Sequence, residues 1–189
     1  PLSYAGPTFV AGYINAYDLG TILNTSAFTL VRGRLDAVHN TGGLYYVADR
    51  FADAAPIAMY GGILQIEGRP TVDVTETFGD VTVYEGVNQF NTNNGGWNVA
   101  SANLVIGTFT RPAGSAATIR FNNGGNQGQI NSSSVTFAGG LPLTQGIVGP
   151  WAVVDRDWAT YGPRGVAALG SAGVAGYAGS GLLSDPLPT

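Results

Sequence analysis

The sequence predicts an all-β chain wound as a single parallel β-solenoid, and three observations carry that reading. Glycine is abundant, 29 of 189 residues, while only 11% of residues are charged; an ordinary soluble domain carries about 25%. Apolar residues still make up 44% of the chain, enough to build a core and too many for a disordered polar tract. From Ala55 onward, runs of roughly four to six β-branched or apolar residues recur, many separated by glycine- or asparagine-rich turns.

The N-terminal part reads as the least regular. The segments around Ile14 and Leu30 alternate and predict strands. Residues 35–39 and 45–54 could each hold a helical turn, split by Asn40-Thr41-Gly42-Gly43. Beyond them, strand runs begin near Pro56, Ile63, Val81, Val87, Trp97, Asn103, Ala117 and Val135. Taking Ile63, Val81, Asn103, Ala117 and Val135 as repeat starts, the spacing is roughly 14 to 22 residues, the short end of the solenoid range. Leu64 with Ile66, Val81 with Val83 and Leu104 with Ile106 lie two apart, so each pair faces one side of a strand and supplies the interior. The high Asn content suits side-chain ladders along a coil stack. An antiparallel β-sandwich is the alternative architecture, because it too uses many short strands with turns between them. One domain is expected over residues 1–170. Residues 171–189, rich in Gly, Ala and Pro, read as a tail or inter-subunit linker, with strand addition to a neighbour as the sharper reading.

Composition also excludes function classes. There is no Cys, hence no disulfide framework or thiolate metal site. All eight basic residues are Arg, which removes lysine Schiff-base chemistry and the P-loop lysine. Scattered Arg and a net charge of −4 argue against nucleic acid, and no apolar run reaches membrane-spanning length. No cofactor motif is present. The chain starts at Pro1 without an initiator Met or signal peptide, which suggests a fragment or a processed chain.

The candidate site is Trp151, Asp155, Asp157, Trp158 and Tyr161. Aromatic rings stack on sugars, and carboxylates accept their hydroxyls. A catalytic version needs two carboxyl groups roughly 5 to 9.5 Å apart. The competing reading is a turn in which Arg156 pairs with a carboxylate and the Trp rings seal the solenoid. Asp49 and Asp53 with Asp36 could offer oxygens to Ca²⁺, yet the rhythm of a calcium loop is missing. Capping by Asp, with an ion pair holding Arg50 at the coil edge, is the expected role there. His39, the single histidine, supports no catalytic triad. Glu67, Glu76 and Glu85 are expected on turns or outward faces as solvating charges.

A family resemblance follows from a series of motifs. Asp49-Arg50-Phe51-Ala52-Asp53-Ala54-Ala55-Pro56-Ile57 resembles the R-x-x-D-A-x-P element of autotransporter-associated β-strand repeat proteins. Tyr60-Gly61-Gly62-Ile63-Leu64, Glu76-Thr77-Phe78-Gly79-Asp80-Val81-Thr82 and Phe109-Thr110-Arg111 follow in the family's order. The closing element is similar to residues 146–160, with Pro150 inserted before the aromatic. The match runs over about residues 45–170 and is poor before Tyr45. The resemblance implies a right-handed parallel β-helix, exported to a bacterial cell surface or matrix, with structural or adhesive use and no catalytic residues. The expected function is a non-enzymatic, self-associating fibre or adhesin unit, a homo-oligomer through solenoid ends or tail. The alternatives are a carbohydrate-binding module and a polysaccharide lyase or hydrolase on a β-helix.

Overall fold

A computed structural model describes residues 4–39, 46–69, 72–93, 100–122 and 133–169. Among these residues the chain is all strand and turn, with no helix. The first coil holds β1 (Pro7–Val10) and β2 (Tyr13–Ala16), and the second β3 (Ala27–Val31) and β4 (Arg34–Val38). Three fuller turns follow. They are β5 (Ile57–Tyr60), β6 (Ile63–Glu67) and β7 (Val74–Phe78); β8 (Val81–Glu85), β9 (Val87–Asn93) and β10 (Ala102–Ile106); then β11 (Phe109–Thr110), β12 (Thr118–Asn122) and β13 (Ser134–Phe137). The chain then forms β14 (Ala152–Val154), β15 (Asp157–Gly162) and β16 (Gly165–Ala168).

Equivalent strands of successive coils stack in parallel. One sheet runs β1-β3-β5-β8-β11, a second β7-β10-β13, and the third β2-β4-β6-β9-β12-β14, extended by β15 and β16. This is the parallel β-solenoid, and the sandwich alternative is excluded by the parallel pairing throughout the stack. No helix among the described residues is long and apolar enough to cross a membrane.

Strand alternation explains the winding. Each strand turns one face inward, so β3 and β10 alternate buried and half-buried residues along their length. All six residues expected inside, Leu64, Ile66, Val81, Val83, Leu104 and Ile106, are fully buried. Phenylalanines stack between coils: Phe51 on Phe78 at 5.5 Å, and Phe90 on Phe121 at 5.4 Å between ring centroids. Each such buried ring contributes roughly 1.5–3 kcal/mol relative to exposure. The corner before β6 and that before β9 are made by Gly61 and Gly86, both at positive φ. A Cβ on Gly86 would come within 3.0 Å of Gly61, so the two corners stack closely only as glycines. Buried Asn88 locks them, accepting the N–H groups of Gly61 and Gly62 and donating to the carbonyls of Glu85 and Gly86.

Three expectations change. After a first step of 20 residues, from Pro7 to Ala27, the repeat is longer than 14 to 22 residues, since Ile57 pairs with Val81 and Val81 with Phe109, steps of 24 and 28. The five chosen starts fall in different sheets, so their spacing measures strands rather than coils. The part before Tyr45 is strand in register with the stack, with Arg34 to Val38 pairing Ile63 to Glu67 one for one. The helical turn expected at residues 35–39 is instead strand β4 up to Val38, and residues 46–54 hold one bend, an isolated bridge from Phe51 to Ile22 and one turn. Alternating Leu35 and Ala37 inward settles that segment as a strand, where a weak helix reading had only propensity behind it. The strand expected near Trp97 and the tail 171–189 lie outside the described residues.

Candidate functional site

The stretch from Trp151 to Tyr161 closes the coil stack. β14 pairs in parallel with β12, and then the direction reverses: β15 runs antiparallel to β14, and β16 antiparallel to β15. Asp155 sits in the β14–β15 turn at φ 51, a left-handed position that Asp tolerates. Asp155 and Asp157 therefore do not share a strand; Asp157 begins β15 opposite Val154. The two carboxylates therefore do not project from one strand face.

The aromatic residues divide. Trp151 stacks on Phe109 with centroids 6.2 Å apart, and the Arg111 guanidinium lies 5.1 Å from its ring centroid. Arg111 is itself held by donating to the Ala117 carbonyl. The Tyr161 hydroxyl accepts the Phe137 N–H at 3.0 Å and donates to the Phe137 carbonyl. Phe109 and Phe137 contact each other, so Trp151 and Tyr161 join one aromatic chain at the cap. Trp158 alone is 44% exposed, opposite Val153 on the outer face.

A second cluster is interior. Arg50 is fully buried, and its guanidinium donates to the carbonyls of Asp18 and Gly20 in the first coil. Its Nε donates to His39 Nδ1 at 3.4 Å. His39 Nδ1 is thus the acceptor, and the ring proton sits on Nε2, which faces Glu76 Oε2 at 4.0 Å. Glu76 Oε1 accepts the Phe51 N–H at 2.8 Å, and the carboxylate also receives the Arg50 N–H. Arg50 is an interior staple rather than an ion pair at the coil edge, and Glu76 is interior rather than outward. Of the three evenly spaced glutamates, Glu67 lies on the outer face and Glu85 is exposed. Burial pushes the Glu76 carboxyl up to about 8, against the pull of its two backbone N–H bonds. Burial lowers His39 to about 4, aided by the nearby Arg50 and Arg69 charges.

The third feature is a side-chain ladder of the kind the Asn content suggested, although the sequence did not point to its members. On the outer face of the long sheet, register aligns Asn15, Asp36, Gln65, Asn91 and Asn122 in one column. Asn122 donates to Asn91, Asn91 donates to Gln65, and Gln65 donates to Glu67. The amide ladder thus ends on a carboxylate, beside Arg34, which pairs with Asp36 and lies 3.6 Å from Glu67. At this end a groove of about 510 Å³ is lined by Tyr13, Asn15, Tyr17, Arg34, Asp36, Val38 and Glu67. Asp36 is 2% exposed and its Oδ1 has no hydrogen-bond partner. Burial raises its carboxyl to about 6, opposed by Arg34. Period-two strands and polar residues at matched positions were the available signal, but without the coil period the column was illegible.

Asp49 and Asp53 line a different groove, beside residues 23–26 and 52–55, and Asp36 does not join them. Among the described residues no three His, Asp or Glu side chains gather to hold a metal ion. No family model matches the chain, and no curated protein or solved structure matches it.

Proposed function

We propose that the protein is a structural, non-catalytic β-solenoid unit of an exported bacterial assembly, at the cell surface or in the extracellular matrix, that associates through its N-terminal end. One observation carries this reading: the two ends of the coil stack are unlike. At the C-terminal end the long sheet turns into the antiparallel strands β15 and β16, while the other two sheets end on β11 and β13. At the other end β1 and β2 are, among the described residues, the outermost strands of their sheets, and a strand edge is a template for another strand. Exposed apolar side chains are frequent on the same coil, with Phe9 66%, Leu19 59% and Leu23 41% exposed. Such a concentration marks an interaction surface more than a solvated face.

The resemblance to autotransporter-associated β-strand repeat proteins supports the exported, structural assignment. Its arginine and glutamate elements, which look unrelated in sequence, are joined here by the bonds from Arg50 and Phe51 to Glu76. Trp151 and Tyr161 spend their rings on internal packing, which disfavours a sugar platform or catalytic centre at the cap. The test is sedimentation velocity over a wide concentration range, with Phe9→Lys as the edge-blocking variant. Reversible association that Phe9→Lys weakens supports the reading. A compact monomer at every concentration, or association indifferent to Phe9→Lys, refutes it.

A further inference from the structure

We propose that the groove at the N-terminal end of the long sheet is a binding site for a neutral glycan. The inference does not depend on self-association. Its floor is built: Asp36 is almost wholly buried, one carboxylate oxygen is paired with Arg34, and the other has no partner. Asp36 Oδ1 is closed to solvent, so Asp36 acts by holding Arg34, while the Arg34 and Glu67 side chains, each 24% exposed, offer the polar contacts.

The charges choose the ligand class. Arg34 sits between Asp36 and Glu67, so the groove presents both signs within a few ångströms. A free cation meets the guanidinium and a free anion meets two carboxylates. A hydroxyl satisfies both, because it donates to a carboxylate and accepts from a guanidinium. Adjacent hydroxyls on one ring match that alternation. Tyr13 supplies the apolar wall: it is 76% exposed, with the Arg34 guanidinium 5.8 Å from its ring centroid. Tyr17 lines the same groove. An exposed ring beside convergent polar groups is the arrangement that takes the apolar face of a sugar and its hydroxyls together. The amide column leading away through Gln65 and Asn91 continues the polar track along the coil axis, at the usual strand spacing of about 4.8 Å. The site therefore suits an extended chain rather than a single sugar.

The experiment is native affinity electrophoresis through gels holding mannan, dextran, xyloglucan or mixed-linkage β-glucan, with polygalacturonate and chitosan as charged gels. Retardation by at least one neutral polysaccharide is expected, with an affinity loss of about tenfold in Tyr13→Ala and in Asp36→Asn. Trp158→Ala, on the cap, should bind as the wild type does. Tyr13 and Tyr17 are exposed, so Tyr13→Ala and Tyr17→Ala keep the test valid if Asp36→Asn does not fold. No retardation in any neutral gel overturns the proposal. So does retardation only in a charged gel, or retardation unchanged in both tyrosine variants. Sedimentation of the same samples reports self-association separately.

Discussion

Glu76 and Phe51 are 25 residues apart in sequence, yet the Glu76 carboxylate accepts the Phe51 backbone N–H at 2.8 Å inside the solenoid. This bond ties the second coil to the third, while Arg50, the adjacent residue, reaches back to the first. Three coils meet at one polar cluster in an otherwise apolar interior. Removing the acceptor leaves two buried N–H groups without a partner and opens a void. Glu76→Ala should therefore cost about 3 kcal/mol by urea denaturation, and Glu76→Gln, which keeps an acceptor oxygen, clearly less. Equal losses would show that the bonds contribute nothing.

The same cluster makes stability depend on pH. Glu76 in the folded chain titrates near 8, above its ordinary 4.5. Its contribution is complete below about 4.5 and is lost as pH rises to about 8. Asp36 behaves alike between 3.8 and about 6. His39 has the opposite sign: its pKa drops from 6.5 to about 4, so its contribution is complete above about 6.5 and lost as pH falls. Glu76 is faced by His39, Arg50, Asp49 and Asp53, and His39 by Glu76, Arg50 and Arg69. Of these three groups, Glu76 alone has a contribution that declines between about pH 6.5 and 8. Denaturation midpoints should fall across that window in the wild type and stay level in Glu76→Gln. Parallel slopes in both proteins would contradict the assignment.

The aromatic residues should separate by burial. Phe90 contacts Phe109, Phe121 and Phe137, so Phe90→Ala removes the centre of the stack. A loss of about 3–5 kcal/mol is expected. Trp158→Ala, at an exposed position, should stay within about 0.5 kcal/mol of the wild type. Thermal denaturation of both variants checks the contrast.

The turn at Asp155 offers a backbone test. Its positive φ costs a β-branched residue more than it costs Asp or Gly. Asp155→Val should destabilise the cap by about 1–2 kcal/mol, while Asp155→Gly should be neutral or slightly stabilising. The reverse order by chemical denaturation would show that the side chain of Asp155 matters more than its backbone.

The sequence made the fold class legible because inward residues repeat every second position, as at Leu64 and Ile66 or Leu104 and Ile106. It hid the coil length because consecutive strands look alike whichever sheet they join, so Ile63 and Val81 read as equivalents although they lie in different sheets. Arg50 and Glu76 were visible as motif residues, but charge suggested a surface, and only the register of the coils places them inside. The groove was less legible still. Tyr13, Arg34, Asp36 and Glu67 come from three coils, and no local spacing connects them.

The central claim is that the N-terminal edge associates while the cap does not. The chain has no Cys, so a single introduced thiol reports its own neighbourhood. Two copies pairing β1 edge to edge about a twofold axis would bring equivalent residues together. Mild oxidation of Ala11→Cys, an exposed site beside β1 that keeps Phe9, should yield a covalent dimer at concentrations where the wild type associates, and Trp158→Cys should remain monomeric. No dimer from Ala11→Cys, or equal cross-linking of both, would overturn the proposed association.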